Sequence, residues 1–161
     1  MSKFLNLVRI VFFAALASCL ATGCTKEAKR ARLLNRAESD FKSGAYDRAK
    51  IEYVNVLRLG GQDVTAITRL GQMWFEQGAP RKAGAFLVKA RELSPNDLEN
   101  RLRLARVYDI VGERAEARKE MLFVLQQSPS SGEALMLLAE SAFTPEEIGV
   151  AEITINGGAA R

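Results

Sequence analysis

No histidine occurs anywhere in the 161 residues. That absence removes imidazole general bases, Ser-His-Asp and Cys-His nucleophile pairs, and the histidine-containing zinc sites. Cysteine occurs only as Cys19 and Cys24, too few to close a four-cysteine metal site or to build a disulfide framework. No glycine-rich phosphate loop, metal-ligand cluster or credible nucleophile is legible, so neither catalysis nor a cofactor nor a metal is expected. Charge of one sign is scarce as well. The 23 Lys and Arg, less Lys3 and Arg9 in the N-terminal segment, leave 21 against 19 Asp and Glu, an excess too small to argue for nucleic acid as a target. No apolar run reaches the ~20 residues that a membrane-spanning helix needs. What is present, 48% hydrophobic and 26% charged residues, is an ordinary globular mixture, long enough for one domain with a sizeable core.

The longest apolar stretch, Ile10 to Ala17, runs on through Ser18 and Cys19 to Leu20 and Ala21, behind Lys3 and Arg9. Its basic leader, short apolar core and small terminal residues read as an export signal. A Cys19–Cys24 disulfide would staple only a segment that is cut off. Two boxes, Leu16-Ala17-Ser18-Cys19 and Ala21-Thr22-Gly23-Cys24, each place small residues just before a cysteine. This resembles a bacterial lipoprotein signal, whose cysteine is lipidated before the chain is cleaved ahead of it. The first box matches at each position, whereas the second has Ala21 where leucine is usual, with Leu20 one place back. Cleavage before Cys19 would leave an apolar Leu-Ala-Thr-Gly at the new N-terminus, while after Cys24 the chain turns polar at once with Thr25-Lys26-Glu27. The expectation is a signal over 1–23, lipid on Cys24 with Cys19 as the alternative, and a short tether over 24–29. An ordinary signal peptide with an incidental cysteine is the plainer reading. The basic cluster Lys26, Lys29, Arg30 and Arg32 follows directly, and suits either a solvated helix start or contact with an anionic bilayer.

Beyond the leader the chain repeats. Gly44, Gly78 and Gly112 stand 34 residues apart, as do Ala49, Ala83 and Ala117, and as do Ala37, Gly71, Ala105 and Ala139. Pro95 and Pro129 share the spacing, with Gly61 at the corresponding earlier place. Four series agreeing on one period indicate stacked supersecondary units. Within the second unit Ile67, Leu70 and Trp74, and then Phe86, Leu87, Ala90 and Leu93, fall at three-and-four spacing, which predicts two amphipathic helices. Gly78 suits the left-handed turn that ends the first, and Pro80 the first turn of the second. Asn96 with Glu99, Ser130 with Glu133 and Thr144 with Glu147 have capping-box spacing, and Asp63 is a further N-cap candidate. Glu146 and Glu147, a pair of adjacent carboxylates, are explained by the same helix start.

These residues resemble the tetratricopeptide repeat (TPR). Leu70-Gly71, Trp74, Gly78, Ala83 and Pro95 fit its pattern, as do Leu104-Ala105, Tyr108, Gly112, Ala117 and Pro129. The first repeat keeps Ala37, Gly44, Tyr46, Ala49 and Tyr53 but has Asp40 at the first aromatic position. The resemblance implies an all-α solenoid over 30–143, with repeats 30–63, 64–97 and 98–131 and a partial one over 132–143. In it the small residues of paired helices meet where backbones approach closely. It further implies a groove, lined by first helices, that takes a peptide or a partner helix. Carried across residue by residue, its positions are Leu34, Glu38 and Phe41; Thr68, Gln72 and Phe75; Leu102, Arg106 and Asp109; and Met136, Glu140 and Phe143. Leu34 and Leu102 serve equally well as core. The basic clamp with which some members hold acidic chaperone tails is not matched, since its places carry Leu34, Glu38 and Glu99, with only Arg103 in agreement.

The expected function is a non-catalytic interaction scaffold. Thr25 after the cysteine, by resemblance to Gram-negative lipoproteins, implies an outer-membrane protein facing the periplasm. The general likeness is to the repeat lipoproteins of exopolysaccharide and exosortase-type systems. A rival reading makes the chain the recognition arm of a larger enzyme whose catalytic domain lies elsewhere. The segment 144–161 opens like a helix but ends in Asn156-Gly157-Gly158-Ala159-Ala160-Arg161 without a polar closing helix. Since repeat stacks normally carry such a cap, a truncated longer protein, a covering partner or self-association through the last repeat is expected there.

Overall fold

The structure, a computed structural model, describes residues 26–141 and positions 149, 153, 154, 156 and 157. Cys19, Cys24, the signal segment, Phe143 and the Thr144/Glu147 cap lie outside the described residues. Among those described, every regular element is a helix: α1 over 26–42, α2 Tyr46–Gly60, α3 Val64–Glu76, α4 Pro80–Leu93, α5 Leu98–Ile110, α6 Arg114–Gln127 and α7 Gly132–Glu140. None is long and apolar enough to cross a membrane. The chain divides into two compact units, Met1–Asp63 with α1 and α2, and Val64–Arg161 with α3 to α7. Helix α1 takes in residues 26–29, which the sequence suggested as part of a tether.

The 34-residue period is a period of turns. Gly44, Gly78 and Gly112 have φ of +79°, +71° and +85°, a left-handed conformation that a Cβ penalises. At each, the glycine N–H donates to the carbonyl three residues back, and the next N–H reaches five back. These bonds are Gly44 to Phe41 and Ala45 to Asp40, Gly78 to Phe75 and Ala79 to Trp74, and Gly112 to Asp109 and Glu113 to Tyr108, all 2.8–3.1 Å. This is the Schellman arrangement, which satisfies carbonyls that the end of a helix would leave unpaired. The same device at the same place in three repeats is why the glycines recur.

The caps lie one residue later than the capping-box spacing suggested. Asp97, not Asn96, caps α5, its side chain accepting from the Asn100 N–H at 3.0 Å. Ser131, not Ser130, caps α7, accepting from the Ala134 N–H at 3.4 Å. Glu99 and Glu133 are thereby free to pair with Arg103 and Arg106. Asp97→Ala is therefore expected to cost about 1 kcal/mol in a urea titration, and Asn96→Ala only a few tenths.

Packing follows the small residues. Ala37, Ala49, Ala83, Ala105 and Ala117 are all buried, as is Gly71. At Gly71 the close approach is to Leu87 rather than Ala83: a Cβ there would sit 2.7 Å from Leu87 Cδ2 and 2.9 Å from its Cγ. Ala139 is exposed, unlike its equivalents. The core of the second unit continues from Ala83, Leu87, Leu104 and Val107 to Leu102, Ala105, Ala117, Met121, Val124, Ala134 and Leu138, with Tyr108 packed against both groups. Met73, absent from the three-and-four pattern read above, is fully buried.

Two polar groups are also buried, Asn100 and Glu120. Asn100 Nδ2 donates to the Leu87 carbonyl at 3.1 Å, tying α5 to α4. Glu120 on α6 is 4% exposed and accepts from Arg91 of α4 and, at 2.6 Å, from Arg101 of α5. Arg101 also donates to the Pro95 carbonyl at 2.7 Å and lies 3.5 Å from the Phe123 ring centre. Burial alone would lower the Arg91 pKa, but its hydrogen bond and charge contact with Glu120 outweigh that and raise it. Burial pushes the Tyr108 hydroxyl up, against the pull of Arg91. One carboxylate thus joins three consecutive helices.

Candidate binding face on the first helices of the repeats

In the second unit, α3 and α5 enclose a cavity of about 290 Å³ lined by Gln72, Phe75, Glu76, Leu87, Arg103 and Arg106. Three of these, Gln72, Phe75 and Arg106, are groove positions expected from the sequence. Their convergence follows from helical register: 72, 75 and 76 lie on one face of α3, and 103 and 106 on one face of α5. Phe75 packs against the cluster of Ala83, Leu87, Leu104 and Val107, so its ring forms an apolar wall anchored in the core. Gln72 accepts from Arg69 Nη1 at 3.2 Å and donates to Glu76 at 3.0 Å, which fixes the amide along the rim. Arg103 pairs with Glu99, and Arg106 reaches Glu133 of α7 at 2.9 Å.

Glu76 was not among the expected groove residues, and Arg103 was expected only as the single match to the basic clamp. The signal for Glu76 was present, since it lies one turn from Gln72.

The remaining expected positions are placed as follows. Thr68 is half-buried on α3, with its hydroxyl oxygen buried. Asp109 is exposed at the end of α5, and Met136 and Glu140 are exposed on α7. Leu102 is in the core. In the first unit Leu34 is half-buried, and Glu38 accepts from the Tyr53 hydroxyl at 2.5 Å. Phe41 stacks edge-on against Tyr46 and Tyr53, with ring centres 5.4 and 6.5 Å apart. Asp40, the departure from the repeat's aromatic, instead pairs with Arg48 of α2 at 3.2 Å.

The arrangement suits recognition. An apolar wall of Phe75 and Leu87 can take an aliphatic or aromatic side chain, while Gln72, Arg103 and Arg106 offer donors to backbone carbonyls or carboxylates beside it. Among the described residues no group of three His, Cys, Asp or Glu stands close enough to hold a metal.

No family model matches the chain, and no curated protein matches it in sequence. Solved structures do match. The second TPR domain of the human RPAP3 protein, in complex with an HSP70 peptide, superposes with a TM-score of 0.65 at 18% identity, over 74% of this chain and 99% of that one. MamA gives 0.72 at 18% identity, over 81% and 77%. YrrB, described as a TPR protein with an unusual peptide-binding site, gives 0.67 at 22% identity, over 76% and 63%. At these identities the likeness shows the fold, an all-α solenoid of TPR-type helix pairs.

Proposed function

We propose that this chain is a non-catalytic scaffold that holds a partner peptide or helix against the α3–α5 face. The carrying observation is the cavity walled by Phe75 and Leu87 and edged by Gln72, Glu76, Arg103 and Arg106. That RPAP3 domain was solved with a peptide, and YrrB is described by its peptide-binding site, which supports reading the equivalent face here as a binding face. A chaperone tail is not the favoured occupant. Leu34 and Glu38 stand where a clamp needs donors.

In the same proposal the scaffold is lipid-anchored at Cys24 in the bacterial envelope, at the outer membrane facing the periplasm, and serves exopolysaccharide or envelope-complex assembly. The lipoprotein-like boxes and Thr25 support this part. Two measurements test the halves separately. Intact mass of the membrane-extracted protein should show a lipid increment on a chain beginning at Cys24, lost in Cys24→Ala; an unlipidated chain rejects the anchor. A photo-crosslinking residue at Gln72 should capture an envelope protein in the native host. Capture should drop at least about tenfold with Phe75→Ala, as for a buried aromatic anchor, while a probe at exposed Ile51 of α2 captures nothing comparable. Equal capture at both places rejects the α3–α5 face.

A further inference from the structure

Helix α1 carries three of its six cations on the side away from its groove residues, while Lys26, Arg30 and Lys42 fall elsewhere around it. Lys29, Arg32 and Arg36 fall within an arc of about 60° on the helix, and Leu34, Glu38 and Phe41 centre about 180° away. The buried residues Leu33 and Ala37 lie between the two faces. Two cross-helix ion pairs mark the cationic edge: Arg36 with Glu52 at 3.7 Å and Arg48 with Asp40 at 3.2 Å. The signs are segregated by depth. The Arg36 and Arg48 side chains are 64% and 73% exposed, whereas those of Glu52 and Asp40 are 21% and 25% exposed. Lys29 and Arg32 are exposed and make no ion pair among the described residues. No acidic residue of α1 falls in this arc. Glu27 pairs with Arg30 at 3.1 Å, and Asp40 is turned toward α2.

We infer that this face is a seat for an anionic phospholipid surface, which lays α1 along the bilayer and turns the Leu34, Glu38 and Phe41 side of the first unit away from it. The inference deepens the anchored-scaffold reading, because Cys24 lies only two residues ahead of the helix. A residue spans at most about 3.6 Å, so a lipid on Cys24 holds the start of α1 close to the headgroups. One acyl signal gives weak, reversible attachment, and an adjacent cationic patch is the second signal that fixes it. Charge complementarity selects the occupant: exposed cations over recessed carboxylates meet a negative surface at no cost in buried charge.

The test uses the full chain with Cys19→Ser and Cys24→Ser, so that no lipid is attached, and follows its sedimentation with phosphatidylcholine vesicles with or without phosphatidylglycerol. The readout is the preference for the anionic vesicles within this one background, which cancels the contribution of the apolar N-terminal segment. Lys29→Gln/Arg32→Gln should reduce that preference roughly 30-fold at low salt, from two charges near the surface. High salt should erase most of the difference. The charge-preserving Lys29→Arg/Arg32→Lys should restore the preference, and Arg81→Gln in the second unit should leave it unchanged. An undiminished preference in the double Gln variant overturns the inference. So does a chain that ignores the anionic vesicles but is retained by immobilised polyglutamate, since the face would then read an acidic protein. Failure of the lipid anchor shows separately, as a missing mass increment with the vesicle preference intact.

Discussion

Glu120→Ala is expected to lower the stability of the second unit by about 3 to 5 kcal/mol, read as a shift in the urea midpoint at unchanged slope. The loss goes beyond three methylene-sized contacts. Glu120 is 4% exposed and satisfies Arg91 and Arg101 together. Without it the Arg101 guanidinium stays wedged between the Pro95 carbonyl and the Phe123 ring with its charge uncompensated. Arg91 is the more exposed of the two and can turn toward water, so most of the cost falls on Arg101. The repeat itself supplies the control. One period earlier, the places of Arg101 and Glu120 are held by Ile67 and Phe86. Arg101→Ile/Glu120→Phe is accordingly expected to come within about 1 kcal/mol of the parent or above it, because well-packed apolar groups replace a buried ion pair at little net cost. If single and double variants lose stability equally, the carboxylate is no bridge.

The second large effect is a reversal of sign at Gly71. In the parent, Gly71→Ala gains about 1 kcal/mol of helix propensity. It also drives a methyl to 2.7 Å from Leu87 Cδ2 in a filled core, and overpacking costs about 1 to 3 kcal/mol. The net expectation is a loss of about 1 kcal/mol. Leu87→Ala alone should cost about 3 kcal/mol, as for a fully buried leucine. In that background the two closest atoms are gone, with Phe86 Cβ left at 3.3 Å, and Gly71→Ala should stabilise by up to about 1 kcal/mol. The coupling of up to about 2 kcal/mol is read from the four unfolding curves of a double-mutant cycle. Additive effects would mean that α3 and α4 adjust freely at this crossing.

How far the sequence foretold these features depends on what each residue does. Gly44, Gly78 and Gly112 were legible because a positive φ excludes nearly every alternative, so the residue type is the structure. The Ala and Gly series was legible for a related reason, since close backbones admit little else. The caps were misplaced by one because Asn96-Asp97 and Ser130-Ser131 each offer two competent neighbours. The Glu three residues on looked like a box partner when its contact is an arginine further along the chain. Gln72, Phe75 and Arg106 came from the resemblance to the repeat, and Arg103 from its single match to the basic clamp, whereas Glu76 could have been added from helical register. Glu120 was out of reach. A glutamate on a helix amid Lys119 and Arg118 reads as solvated surface, and only the arrival of Arg101 from a different helix, 19 residues away, makes it core.

The exposed Ala139 bears on how the molecule breathes. In a stack where each helix leans only on its neighbours, opening proceeds inward from whichever element is least held. Helix α7 is nine residues long and gives the core only Ala134 and Leu138, whereas α6 gives it five residues. Its amide protons should therefore exchange with deuterium well before those of α5 and α6, unzipping from the Glu140 end toward the Ser131 cap. A helix that settled over Ala139 would slow that exchange, so the deuterium clock of α7 reports directly on whatever next joins the row.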